Sequence, residues 1–491
     1  MNISRAKEEI KNTVRAYLAK DVEGRPLIPA VRQRPVLIIG PPGIGKTAIM
    51  EQAARECGIG LAAYTMTHHT RQSAMGLPFI DKKIYDGKEV PVTSYTMSEI
   101  ISSVHDKIEK TGIREGILFI DEINCVSETL APVMLQFLQA KMFGNTRVPE
   151  GWIIVAAGNP PEYNRSVREF DVVTLDRVKY IEVTPDYSAW KAYAQKNDVH
   201  RAILSYLDAR QENFYKIETT VEGKRFVTAR GWEDLSDMLK AYERLGIPAD
   251  EQLAGEYIQE PETAMDFANY LSLYYKYEKA YSVNDILGGN AAEQVYERIK
   301  NAPFDERVSV VSLILGGLNN LFKKYYRCTQ TAQELFDELK AFQREEAKPF
   351  EEVVRGYSAD FVEKKEGGLL DDEQLAVKAQ VMKLLNSYTL AVKEQGALGH
   401  AEQFAVVSSE FMKLSDERER LSEKVSQALE NAFDFGERAF GQGPELVFFV
   451  TELAAGFYSL SFIQENGNER FYRYNKSMLR DTARERLISE L

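Results

Sequence analysis

Lys46 and Thr47 close a run in which Gly40, Pro41, Pro42, Gly43, Ile44 and Gly45 come immediately before them. The spacing is G-x-x-x-x-G-K-[ST], the pattern of a phosphate-binding loop. Glycines at these positions let the backbone take positive φ angles and approach a ligand closely, and Gly40, Gly43 and Gly45 are all read this way. Successive N–H groups then face one concavity and bind phosphate oxygens. A helix starting at the end of the loop adds partial positive charge from its N-terminus. In such a loop the lysine, here Lys46, reaches the β- and γ-phosphates of a nucleoside triphosphate, and the hydroxyl, here that of Thr47, sits on Mg²⁺.

Two further stretches carry polar residues at the end of an apolar run. Residues 116–124 read GILFIDEIN, so Asp121 and Glu122 stand at the tip of a buried strand. Asp121 suits Mg²⁺, directly or through water, and Glu122 suits a general base that polarises an attacking water. Alternation along a strand puts the two side chains on different sides, as two separate tasks require. Residues 151–161 read GWIIVAAGNPP and end on Asn159. Its amide is able to hydrogen-bond both a γ-phosphate and a water.

The elements that must position these groups follow from the pattern. Residues 35–39 (PVLII) form a short apolar run suited to a buried parallel strand, and residues 48–55 suit a helix. Further strand candidates are 61–66, 116–120, 152–157 and 178–183, alternating with helical stretches. Such alternation predicts an α/β fold with a parallel sheet. Residues 5–20 read as a helix with Ile10, Val14 and Leu18 inward. Beyond about residue 186 the strand signal fades and most of the chain reads as helices, broken at 222–223, 287–290, 367–368, 396–399 and 441–443. Leu421, Val425, Leu429 and Phe433 mark one apolar helix face, and Val133, Met134, Phe137 and Leu138 have the spacing of a core helix. Asp86-Gly87, between two partly apolar runs, predicts a hairpin.

In this order the motifs resemble those of the AAA+ ATPases. The MoxR-like branch is closer still, through Asp121-Glu-Ile-Asn124, Ala157-Gly-Asn-Pro160, Leu175-Asp-Arg177 and Thr228-Ala-Arg-Gly-Trp-Glu233. The resemblance covers about residues 20–300 and does not reach the last third. It implies a P-loop AAA+ core over 1–185, a helical lid over 186–300 and an α-helical accessory region over 301–491. It makes Asn159 sensor 1, Arg230 sensor 2, and Arg177 the finger completing a neighbouring subunit's site. Val178 follows Arg177 where the family pattern has Phe, and Arg165 and Arg168 compete for the finger role. The resemblance also implies ATP and Mg²⁺ as ligands, a homo-oligomeric ring, most simply a hexamer, and a hairpin over 70–97 facing its pore. The implied role is a remodelling or maturation chaperone acting on a protein client, often with a partner bearing a von Willebrand factor A domain. Two alternatives stand beside it: a nucleic-acid-associated motor or loader, and a nucleotide-gated scaffold with slow turnover.

Composition narrows the partners. With 491 residues the chain exceeds one ordinary core. Its formal charge of −13 speaks against nucleic acid, and residues 301–491 alone carry eight more acidic than basic side chains. No uncharged apolar run has the length of a membrane span. The first residues lack the apolar core of a signal peptide, so a cytoplasmic location is expected. Cys57, Cys125 and Cys328 are scattered and suggest neither a disulfide framework nor a zinc site. His68 and His69 are adjacent, so on a strand they point to opposite faces and are poorly placed to share an ion.

Overall fold

The computed structural model describes residues 1–66, 72, 74, 76–143, 146–163, 170–220, 223–345, 348–397 and 399–477. His68, His69, Arg165 and Arg168 lie outside the described residues. The chain forms two compact units. The first comprises Met1–Trp190, Thr228–Arg230 and Asp360–Asp371; the second comprises Lys191–Val227, Gly231–Ala359 and Asp372–Leu491.

The first unit is built on a five-stranded sheet of β1 (Val36–Ile39), β2 (Gly60–Thr65), β5 (Gly116–Asp121), β8 (Trp152–Gly158) and β9 (Lys179–Glu182). Its order is β2-β5-β8-β1-β9, and every pairing is parallel. The three inner strands are apolar and buried along almost their whole length, as strands covered on both faces must be. Each fully buried Ile, Leu or Val in them contributes about 1.5–3 kcal/mol. The edge strands β2 and β9 alternate between buried and exposed positions. All five expected strands are present.

This strand order decides where the chemistry is. β8 lies between β5 and β1, with Ile120 beside Ala156 and Ile39 beside Gly158. Three chain segments therefore leave the sheet side by side at its C-terminal edge: residues 40–45 after β1, residues 121–124 at the end of β5, and Asn159 after β8. Ligands of open α/β sheets bind at that edge.

Three helices of this unit follow their sequence signals. Ile3–Leu18 buries Ile10 and Val14, with Leu18 half-buried, and is tied to the sheet edge by Lys179 Nζ, which donates to Glu9 Oε1 at 2.6 Å and Thr13 Oγ1 at 2.7 Å. Lys46–Cys57 starts directly from the glycine loop and ends at Gly58, whose φ of 67° suits a left-handed C-cap. Ala131–Ala140 buries Met134, Phe137 and Leu138.

Between β2 and the helix Glu99–Thr111, the chain runs out into a ribbon of β3 (Pro78–Tyr85) and β4 (Lys88–Tyr95). Asp86 and Gly87 join the strands with φ of 48° and 75°. Positive φ at both positions is the two-residue turn that matches strand twist. The ribbon is solvent-facing and leaves Ile80 79% and Ile84 75% exposed. A second, two-residue ribbon pairs β6 (Met142–Phe143) with β7 (Thr146–Arg147).

The second unit is mainly helical. Two 41-residue helices, Phe304–Arg344 and His400–Phe440, run through it. One apolar cluster gathers Val310, Ile314, Leu318, Val425, Leu429 and Phe433 with Phe449 and Phe462. Another joins Leu335, Leu339 and Phe342 to Phe350, Val381 and Leu385. The face read from Leu421, Val425, Leu429 and Phe433 is buried as expected. The unit also contains a hairpin of β10 (Lys216–Thr220) and β11 (Gly223–Val227), where the sequence shows mainly helical signal. Its alternation is short and mixed with charged residues, which weakens a period-2 pattern. Among the described residues no single helix is long and apolar enough to cross a membrane.

Candidate active site

The phosphate loop leaves β1 at Gly40 and enters the helix Lys46–Cys57 at Gly45. Gly43 and Gly45 have φ of 73° and 92°, the left-handed region that favours glycine. Gly40 does not, which corrects its expected role. It is needed for space: a Cβ there would lie 2.7 Å from the Val183 carbonyl oxygen and 2.9 Å from Ile44 Cδ1. Gly43 is held from the other side as well. A Cβ on it would meet the Thr228 side chain at 2.8 Å, and its carbonyl accepts the Arg230 N–H at 3.2 Å.

Lys46 is buried at the centre of the loop. Its ammonium donates to the Gly40 carbonyl at 2.8 Å, the Pro41 carbonyl at 2.9 Å and Asn159 Oδ1 at 2.9 Å. Burial pushes its pKa down to about 8, against the opposing pull of Asp121; the charge of Arg230 pushes the same way as burial. An anion in the loop would relieve that penalty, because a buried cation regains its charge preference beside a negative partner. The three donors must then be handed from protein oxygens to phosphate oxygens.

Thr47 Oγ1 donates to Asp121 Oδ2 at 2.8 Å, while Asp121 Oδ1 accepts the Glu122 N–H at 2.9 Å. The loop hydroxyl and the carboxylate at the tip of β5 therefore share one small region. Mg²⁺ favours such hard oxygen donors and usually takes only one or two carboxylates, completing its shell with phosphates and water. Among the described residues there is no cluster of three or more acidic, histidine or cysteine side chains that would make an all-protein cage. The donor set fits a nucleotide-borne Mg²⁺.

Glu122 follows Asp121 in the left-handed region, with φ of 57°. Its carbonyl accepts the Cys125 N–H at 3.0 Å, closing a tight turn, and the Ile123 N–H donates to the Ala157 carbonyl at 2.9 Å. Asn124, 5% exposed, completes the turn: its Nδ2 donates to the Asn159 carbonyl at 2.7 Å and its Oδ1 accepts the Asn159 N–H at 3.3 Å. Asn124 belongs to the sequence motif, but the motif does not name its partner. The available signal was an amide just past a buried strand end, where unpaired backbone groups need partners.

Arg230 is the second residue of the helix Ala229–Leu245, which begins directly after Thr228, and its charge acts on Lys46. The structure thus gathers Lys46, Thr47, Asp121, Glu122, Asn159 and Arg230 around one loop. Arg177 is different. It caps the short helix Val172–Asp176, is exposed, and its guanidinium donates to Gln139 Oε1. Among the described residues it makes no hydrogen bond to the phosphate loop. Beside it, Val172 and Val173 are 81% and 58% exposed.

Residues 36–175 match the family model described as ATPase family associated with various cellular activities (AAA). That span contains β1, β5 and β8 and, of the groups described above around the loop, leaves out Val183, Thr228 and Arg230. The chain therefore carries an AAA domain with a five-stranded parallel sheet, joined to a largely helical C-terminal region. No curated protein matches the chain.

Proposed function

We propose that this chain is an ATP-hydrolysing AAA+ protein of the MoxR-like branch, a ring-forming, cytoplasmic chaperone that remodels or matures a protein client. One observation carries the hydrolytic part: Lys46 bonded to Asn159, beside Thr47 bonded to Asp121, at the C-terminal edge of three adjacent strands. The match over residues 36–175 supports it.

In this reading the N–H groups of residues 40–47 and Lys46 hold the β- and γ-phosphates. Thr47 and Asp121 hold Mg²⁺, which neutralises charge on the phosphate oxygens. Glu122 accepts a proton from water as the water oxygen bonds to the γ-phosphorus. The bond from that phosphorus to the β,γ-bridging oxygen breaks, giving ADP and inorganic phosphate. Asn159 orients the water. Arg230 and, from a neighbouring subunit, Arg177 stabilise charge on the transferring group, as a planar guanidinium does well. The lid is assigned to 186–300 and the accessory region to 301–491. The exposed β3–β4 ribbon is the segment offered to the client, and a von Willebrand factor A domain protein is the expected co-partner. The acidic charge favours a protein client over nucleic acid.

Steady-state phosphate release and nucleotide binding test the reading together. Lys46→Ala should lose affinity for ATP, since a charge-assisted contact is gone. Glu122→Gln should bind ATP and release phosphate about two orders of magnitude more slowly. Wild-type turnover in Glu122→Gln, or normal binding and turnover in Lys46→Ala, would overturn the assignment.

A further inference from the structure

The side chain of Asn124 does what a backbone peptide does. β5 and β8 stop pairing at Ile120 beside Ala156, and the Ile123 N–H to Ala157 carbonyl bond extends the contact past the strand end. Asn124 then offers one donor and one acceptor, and both go to the main chain of Asn159. A primary amide alone among small side chains presents this pair in a peptide-like geometry. Asp lacks the donor and Gln is one methylene longer.

The space around this contact is equally specific. A Cβ at Gly158 would lie 2.4 Å from Asn124 Oδ1 and 2.8 Å from its Cγ. Gly158 has no positive φ, so its lack of a side chain is about room for the amide. The partners matter because of their neighbours. Glu122 is in the same tight turn as Asn124, and Asn159 holds its own side chain on Lys46. A water positioned between base and γ-phosphate depends on the spacing of Glu122 and Asn159, and misplacement by about 1 Å can cost roughly 100-fold in rate.

We propose that Asn124 is a positioning residue, which sets the distance between Glu122 and Asn159 by pairing its amide with the Asn159 backbone in the room left by Gly158. The inference rests on the ATPase reading above. It differs from a purely structural role in what it affects: the Asn124 amide bonds to the backbone of Asn159 and not to residues 40–47, so its loss should act more on the alignment of water than on phosphate binding.

The test measures kcat, KM and ATP affinity for wild type, Glu122→Gln, Asn124→Ala, Asn124→Asp, Gly158→Ala and the Asn124→Ala/Gly158→Ala double variant. Asn124→Ala should lower kcat about 10-fold or more with ATP affinity within about twofold of wild type. Asn124→Asp, keeping the acceptor and losing the donor, should fall between, and it decides the matter if Asn124→Ala does not fold. Gly158→Ala should reproduce the kcat loss. In the Asn124→Ala background it should cost nothing more, because the colliding amide has gone. An inactive wild type, or an active Glu122→Gln, overturns the ATPase reading and this inference with it. If those two behave as stated, wild-type kcat in Asn124→Ala, equal losses of affinity and kcat, or additive losses in the double variant overturn the positioning role alone.

Discussion

Glu122 pays for its place with backbone strain. A φ of 57° is uncommon for a glutamate, since the left-handed region crowds Cβ against the following carbonyl. Both backbone hydrogen bonds of Glu122 depend on that conformation, so the turn holds the residue there. Asparagine tolerates the same region far better. Glu122→Asn should therefore stabilise the first unit by about 0.5–1 kcal/mol while abolishing hydrolysis, because the shorter amide is no base. A urea titration with an unchanged slope and a raised midpoint would show it; a lowered midpoint would mean that the carboxylate itself holds the turn. The glycines of the phosphate loop teach a related lesson. The pattern G-x-x-x-x-G-K-[ST] was legible, but a spacing cannot tell a glycine needed for φ from one needed for room. Gly45 is of the first kind, Gly40, against Val183 and Ile44, is of the second, and Gly43, against Thr228, is of both. The Asn124 contact was hidden for the same reason: it joins residues 35 positions apart, and nothing in either local stretch names the other.

At the scale of elements, legibility follows how much of the folding signal is local. β1, β5 and β8 announce themselves because a strand buried on both faces is apolar throughout. The Asp86-Gly87 turn specifies its hairpin within four residues. Helix ends at Gly368, Gly396 and Gly441 were readable because each glycine sits at φ of 61–71° where a helix stops. The β10–β11 hairpin was not readable, since its strands of five residues carry Lys216, Glu218, Lys224 and Arg225 and bury little of a clear face. Long helices are specified by their stripes, and the stripe of His400–Phe440 can be tested at Phe433. That ring is fully buried and meets Phe449 edge-on, with centroids 5.3 Å apart. Phe433→Ala should cost the second unit about 3–5 kcal/mol. Trp152 and Trp190 belong to the first unit and Trp232 to the second, so a protein retaining only Trp232 reports the relevant transition by fluorescence. A midpoint shift worth under about 1 kcal/mol would mean that the helix packs less tightly than its burial indicates.

At the scale of the whole molecule the question is why one motif residue stands apart from the loop it should serve. Lys46, Asn159, Asp121, Glu122 and Arg230 lie around residues 40–47, whereas Arg177 is exposed and bonded to Gln139. If Arg177 is the finger proposed above, its place off its own loop means that it serves another subunit's loop. The apolar surface beside it agrees, since Val172 and Val173 gain by being covered. A site completed in trans requires a head-to-tail interface, and such interfaces close into rings. ATP should therefore promote a closed oligomer, with a hexamer expected from the family resemblance. Arg177→Ala should bind ATP nearly as wild type and hydrolyse it at least about 10-fold more slowly, because the missing charge acts on the transition state. Mixing gives the sharper reading. Glu122→Gln subunits lack the base but carry a working Arg177; Arg177→Ala subunits keep the base but offer no finger. In mixed rings an intact base meets an intact finger at some interfaces, so activity should return above the sum of the two separate variants and should follow their ratio. If the mixture recovers nothing, and wild-type specific activity is unchanged on dilution to a monomer, each subunit completes its own site and Arg177 is a surface charge.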